Sequence, residues 1–336
     1  MSCIKYFFII LIITSVILIT EYYFALKYNY KLIYIYNPAQ IGIFQEECPN
    51  LELLIHNNIF TGELRTKIAE EKLKNLPYFE GKDKNDEERQ KKNYQTIVST
   101  LVELIPIETN KCLIRVGKKN DGGYVLLNHE LDKVDYLYSY GIEYDTYFER
   151  MFADRFGAKV YLYDNTINYV PYHNNFFFFK ENIGESQEYN SFSPVNTLSN
   201  HLNTNNHKGK RKILKLDIEG EEYRVLKSLD VETLLEFDQI ILEMHKLIFL
   251  YDSAVPVLQR INKYFYLYHV HFNNYGEIYK VKDLLVPGIL ELSWVRKDLI
   301  KDQVTFANKV LPSVLDMTNN PYEKDYYLDF WPFKLK

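Results

Sequence analysis

Hydrophobic and polar positions divide the chain into three stretches. Tyr6 to Thr20 carries no charge, and extending it to Leu26 adds only Glu21. A helix from Tyr6 to Leu26 spans about 31 Å at ~1.5 Å per residue, which matches a bilayer core of ~30 Å. The apolar run is longer than the core of a cleavable leader. Tyr22, Tyr23 and Phe24 follow it where small residues would mark a cleavage site, and they suit a membrane interface. The pattern predicts a single-pass transmembrane anchor over residues 4–26 rather than a signal peptide. Residues 27–95 then read as a partly helical stem or linker. Within it, Glu80 to Asn93 holds ten charged residues in fourteen, of both signs, as expected for a solvated linker or an exposed helix face. Ile97, Leu101 and Leu104 recur at helical spacing and predict a helix packed on the domain that fills residues 96–336.

From Lys111 onward short apolar runs alternate with amphipathic segments. Strands are predicted at Val134–Tyr140, Lys159–Tyr163, Phe176–Lys180, Lys212–Leu216, Gln239–Met244, Tyr264–Val270 and Ile289–Val295. Helices are predicted at Tyr147–Phe156, Pro194–Leu202 with Ser193 as N-cap, Glu221–Leu229 and Val255–Asn262. Strands separated by helices imply right-handed crossovers, hence an α/β fold with a mostly parallel sheet and helices on both faces. The last two strands form an antiparallel pair. Ligands of such sheets sit at the carboxyl ends of the strands.

Composition narrows the function classes. Apolar residues make up 47% of the 336 and charged residues 25%, a globular balance that excludes wholesale disorder. The net charge of -5 supplies no basic field, so no nucleic-acid partner is expected. Cys3, Cys48 and Cys112 lie far apart, which excludes a cysteine zinc site and a disulfide scaffold. One bond between Cys48 and Cys112 and two free thiols both remain open.

The residues after each strand carry the chemistry. Ser139-Tyr140-Gly141-Ile142-Glu143 contains one glycine and no G-x-G-x-x-G, so the usual pyrophosphate cradle is absent. Gly141 permits a sharp turn or close approach of a ligand. Asp164 and Asn165 follow the next strand, where a carboxylate can accept from both hydroxyls of a ribose or cap a helix. Asp217, Glu219 and Glu221 crowd one strand end, either around a ligand or as helix caps. Glu243 and His245 share one strand face, as do His269 and His271, with Asn273 beyond. These groups read as a general base with positioning residues, as an oxygen-and-imidazole metal site, or as hydrogen-bonded polar residues under a loop. A metal-free centre is favoured, because no compact ligand motif such as H-E-x-x-H is present.

The chain resembles the FkbM-type S-adenosylmethionine-dependent methyltransferases over about residues 110–333. The resemblance rests on Arg115-Val116-Gly117 with Asp121-Gly122-Gly123-Tyr124-Val125, on Tyr138-Ser139-Tyr140-Gly141-Ile142 with Phe148-Glu149, and on Lys215-Leu216-Asp217-Ile218-Glu219-Gly220-Glu221. Leu242-Glu243-Met244-His245, His269 to Asn274, Leu311-Pro312, Asp316 and Asn320-Pro321 continue it. It implies a Rossmann-like seven-stranded sheet in the order 3-2-1-4-5-7-6 and S-adenosyl-L-methionine as cofactor. Tyr140 and Gly141 would face the amino-acid part of the cofactor. Asp164 with Asn165 would hold the ribose, Ile183 and Gly184 would flank the adenine, and Asp217 would lie near the reacting centre. Asp217, His245 and His271 are the candidate catalytic residues, and Glu219, Glu243, His269 and Asn273 the candidate positioning residues. The chain departs from the family at Ser139 to Asp145, which has one glycine where many methyltransferases have two or three. The expected activity is O-methylation of a glycan, lipid or small molecule by a membrane-anchored enzyme, with its domain on the lumenal or extracytoplasmic side. A glycosyltransferase using Asp217-Ile218-Glu219 to hold a metal, and an inactive protein that kept the fold, are the alternatives.

Overall fold

Seven strands form the central sheet: β1 (Tyr136–Tyr140), β2 (Lys159–Tyr163), β3 (Phe176–Phe179), β4 (Lys212–Leu216), β5 (Gln239–Met244), β6 (Phe265–Phe272) and β7 (Leu290–Arg296). All residues of β4 and β5 are buried, with no alternation, as required of central strands covered on both faces. The computed structural model describes residues 31–35, 42–48, 61–188, 194–301, 304–307 and 310–334. The strand order is 3-2-1-4-5-7-6, as the resemblance implies. β1 to β5 run parallel, and β7 pairs antiparallel with both β5 and β6. The register aligns Leu216 with Tyr140 and Tyr140 with Tyr163, so three strand ends stop level and leave a ledge.

Helices cover both faces. They are α1 (Thr61–Lys74), α2 (Lys84–Glu103), α3 (Tyr147–Phe156), α4 (Leu198–Thr204), α5 (Glu222–Ser228), α6 (Val231–Leu235) and α7 (Leu247–Tyr264). On one face Tyr94, Ile97, Val98 and Leu101 of α2 join the core with Val257, Leu258 and Ile261 of α7 and the sheet. On the other, Phe148 and Phe152 of α3 pack with Ile114, Val160 and Ile213. A four-stranded antiparallel sheet, Lys31–Ile35, Gly42–Glu47, Leu113–Gly117 and Gly123–Leu127, adjoins this second face. Its middle pair is stapled by a disulfide between Cys48 and Cys112, next to the Glu47–Leu113 register pair.

Several boundaries differ from expectation. The division placed at residue 95 runs through α2, whose Tyr94 is fully buried, so residues from Lys84 onward belong to the same core. The charged stretch before it is the solvated face of that helix, begun by Asp83, whose side chain accepts from the Asp86 N–H. The helix expected from Pro194 begins at Leu198. Val195 and Asn196 instead pair in parallel with Asn182 and Ile183, and Thr197 is the cap, accepting from the Asn200 N–H at 3.2 Å. Ser193 lies outside the described residues. α7 starts at Leu247 rather than Val255; it is kinked at Leu250, whose φ of -121° is not helical, and beyond the kink Ala254, Val257, Leu258 and Ile261 form one buried stripe that continues past Pro256. The anchor expected over residues 4–26 lies outside the described residues; among those described, no helix is long and apolar enough to cross a membrane.

Candidate active site

A cavity of about 310 Å³ opens on the ledge formed by the carboxyl ends of β1, β2 and β4. Tyr140, Gly141, Asp164, Ile183, Asp217, Glu219 and Glu243 line it, as the sequence leads one to expect. Asn165 and Gly184 do not. Gly184 packs instead against Val195, where a Cβ would come within 2.6 Å of the valine side chain.

Gly141 is required by the backbone. Its φ is +70°, and a Cβ there would lie 1.6 Å from the Asp217 carbonyl oxygen. The same two strand ends are tied by Asp217 N–H to the Tyr140 carbonyl at 3.1 Å and Gly141 N–H to the Tyr163 carbonyl at 3.2 Å. Asp164 fixes the turn from below. One carboxylate oxygen accepts from the N–H groups of Ile142 (3.0 Å) and Glu143 (2.8 Å). The other accepts from the N–H (2.7 Å) and hydroxyl (2.6 Å) of Thr166. These four bonds use the full acceptor capacity of Asp164, so a ribose meets an occupied carboxylate there. Glu143, exposed and beside it on the same turn, also lines the cavity.

Lys215 enters the cavity floor from β4. It is buried, donates to the Gly141 carbonyl at 3.0 Å, and lies 3.5 Å from Asp217 and 3.9 Å from Glu149. Burial pulls its pKa down, but Asp217, Glu149 and Glu243 outweigh that and the net shift is upward. Glu149, on α3, accepts from the Ser139 hydroxyl at 2.6 Å, and its burial pushes its pKa up. Tyr124 donates to Asp217 at 3.2 Å. Glu149, Lys215, Tyr124, Asp121 and Gly122 line the cavity although the sequence reading gave them no role. All five stand in motifs that carry the family resemblance, which was the available signal.

The ends of β4 and β5 meet around His245. Its Nδ1 is 3.0 Å from Glu222 Oε1, which also accepts from the N–H groups of Ile218 and Gly220. Its Nε2 faces Glu243 at 3.5 Å, Glu219 at 3.7 Å and Asp217 at 4.0 Å. Asn273 donates to Glu243 at 2.7 Å and so stands at this cluster. Burial, then the charge of Asp217, pushes the Glu243 pKa well above the carboxylate range. Burial opposes the charged form of His245, yet Glu222, Asp217 and Glu219 raise its pKa overall.

None of the three histidines lines the cavity; His245 stands beside Asp217, Glu219 and Glu243, which do. His271 bridges Glu291 (3.1 Å) and Asp325 (3.2 Å) and is almost wholly buried. Against the cost of burial, Asp316, Asp325 and Glu291 push its pKa up to about 10, which favours the protonated ring. His269 pairs with Asp316 at 2.7 Å. Asn319 adds bonds to Asp121 and Glu291, and Asn274 donates to the Asn320 carbonyl. Together these polar groups pin the segment from Leu311 to Asp325 across the ends of β6 and β7. The catalytic role expected of His271, and the positioning role of His269, are corrected to anchoring of this segment.

The family model described as Methyltransferase FkbM domain matches residues 22–268. It starts well before, and ends sooner than, the stretch over which the sequence motifs suggest the resemblance. No curated protein matches the chain.

Proposed function

The chain belongs to the FkbM methyltransferase family, and from that premise we propose that it is a membrane-anchored, S-adenosylmethionine-dependent O-methyltransferase. The observation that carries the reading is the charge of the cavity. Asp121, Glu143, Asp145, Glu149, Asp164, Glu181, Asp217, Glu219 and Glu243 line it, and Lys215 is the one basic lining side chain among the described residues. S-adenosylmethionine brings a cationic sulfonium and an ammonium, which suit such walls, and its sulfonium supplies an electrophilic methyl group when bound. The cavity is at the lower end of the usual size for a small-molecule site, ~300–1,000 Å³.

Tyr140, Gly141 and Lys215 form the floor under the amino-acid end. Glu143 takes the ribose diol, and Asp164 acts through it by holding its turn. Ile183 lies against the adenine. Asp217, Glu243 and His245 stand at the reacting end, where they position the acceptor hydroxyl, and the Asp217 carboxylate receives its proton. Alignment of donor and acceptor is most of what such a displacement needs.

Anchoring is supported by the uncharged run from Tyr6 to Thr20. A lumenal or extracytoplasmic domain is supported by the Cys48–Cys112 bond, since disulfides persist in oxidising compartments. The acceptor is a hydroxyl of a glycan, lipid or small molecule. Membranes bearing the full chain, given methyl-labelled S-adenosylmethionine, test this: label should appear on a hydroxyl and vanish with Asp217→Asn. Manganese-dependent hydrolysis of a nucleotide sugar, with no label transferred, would favour a glycosyltransferase instead.

A further inference from the structure

His245 is held as a metal-bound imidazole is held. One ring nitrogen is tied to the Glu222 carboxylate, which two backbone N–H groups fix in turn. Such a carboxylate sets the tautomer and aims the opposite nitrogen. That nitrogen, Nε2, makes no hydrogen bond, belongs to a side chain only 7% exposed, and points among the carboxylates of Asp217, Glu219 and Glu243. Asp217, Glu243 and His245 each offer one ligand atom, all within 4.8 Å of one another.

We infer that Asp217, Glu243 and His245 form a binding site for a divalent cation, with Glu219 as a further ligand from the rim. One imidazole with carboxylate oxygens suits a borderline-to-hard ion of the manganese class rather than a thiophilic one. The sequence alone favours a metal-free centre because its ligands are dispersed: Asp217 ends one strand, and Glu243 and His245 end the next. Pairing of β4 with β5 brings them together. Asp217, Glu219 and Glu243 also line the cavity, so the ion faces it and presents a free coordination position to an acceptor oxygen. The site itself stands on the side-chain geometry; only this role rests on the methyltransferase reading.

The test is titration of the full-length protein with Mn²⁺, following the free ion by electron paramagnetic resonance. Saturable uptake of one ion per chain is expected. His245→Ala and Glu243→Gln should each weaken it at least tenfold while circular dichroism stays that of the wild type. Should His245→Ala fail to fold, the isosteric Glu243→Gln decides. No saturable uptake by the folded wild type, or unchanged affinity in a folded variant, overturns the site. Binding of S-adenosylmethionine in chelator is measured on the same sample. Cofactor binding without Mn²⁺ uptake sinks the metal site alone, and Mn²⁺ uptake without cofactor binding supports the site and sinks the cofactor reading.

Discussion

At residue 141 a methyl group has nowhere to go. The nearest atom is the Asp217 carbonyl oxygen, and the left-handed φ of +70° adds strain for any side chain. Gly141→Ala should therefore cost about 3 kcal/mol of stability, near the top of the range for a single strained residue, and should open the cavity floor. Urea denaturation checks this, and wild-type stability would contradict it. In the proposed reading, Asp164 and Glu143 divide a role that the chain position gives to Asp164 alone. Losing hydrogen bonds to a buried carboxylate costs roughly 1.5–3 kcal/mol, so Asp164→Ala should lower stability by about that much. Glu143→Ala should leave stability unchanged and weaken S-adenosylmethionine binding about tenfold or more. Paired denaturation and calorimetry separate the two, and the reverse pattern would return the ribose to Asp164. His271 carries a pH prediction. Its pKa of about 10 stands above the unfolded value near 6.5. Its contribution is therefore complete below about 6.5 and is lost as pH rises toward about 10. Glu291 and Asp316 are shifted down, so theirs is present above the ordinary carboxylate range and lost in acid. Protection factors in the Leu311 to Asp325 segment, corrected for the base-catalysed rise in intrinsic exchange, should fall across the alkaline range, and protection that stays constant would refute the anchoring role.

Among the elements, those that packing makes continuous were the readable ones. β4 and β5 are buried on both faces, so Ile213-Leu214 and Ile240-Ile241-Leu242 form consecutive apolar positions without alternation, and these announce the strands even though Lys212, Lys215, Gln239 and Glu243 interrupt them. The start of α4 was not readable, because pairing of Val195 and Asn196 with a strand a dozen residues earlier outcompetes the proline signal at residue 194. The extent of α2 was hidden for a related reason. Its first turns are charged on the solvent side, and only the tertiary contact of Tyr94, whose hydroxyl donates to Asp283 at 2.8 Å, marks them as part of the core. Tyr94→Ala should cost about 3 kcal/mol or more, as for other large buried aromatics. A cost below about 0.5 kcal/mol, the level of an ordinary surface substitution, would restore the stem reading. The site shows the same division. Gly141, Asp217 and Glu243 follow strands and could be placed by topology. His271 and His269 also follow a strand, but their partners Glu291, Asp325 and Asp316 lie 20, 54 and 47 residues further on, and nothing local reveals them. Glu149 reads as a helix-surface acid until Ser139 and Lys215 close over it.

For the whole molecule, the strand order, the level strand ends and the acid-lined cavity are the features on which the proposed cationic nucleoside ligand rests. The single glycine of the β1 turn does not count against this, because that glycine serves the contact with the β4 end and the turn is braced by Asp164. The central claim is that this cavity binds S-adenosylmethionine, and it is tested most directly by isothermal titration calorimetry of the full-length protein with that compound. The account predicts saturable binding at one molecule per chain, retained in His271→Gln at neutral pH and weakened at least tenfold in Glu143→Ala. A correctly folded wild-type protein that gives no saturable binding, or binds equally well without Glu143, would contradict it.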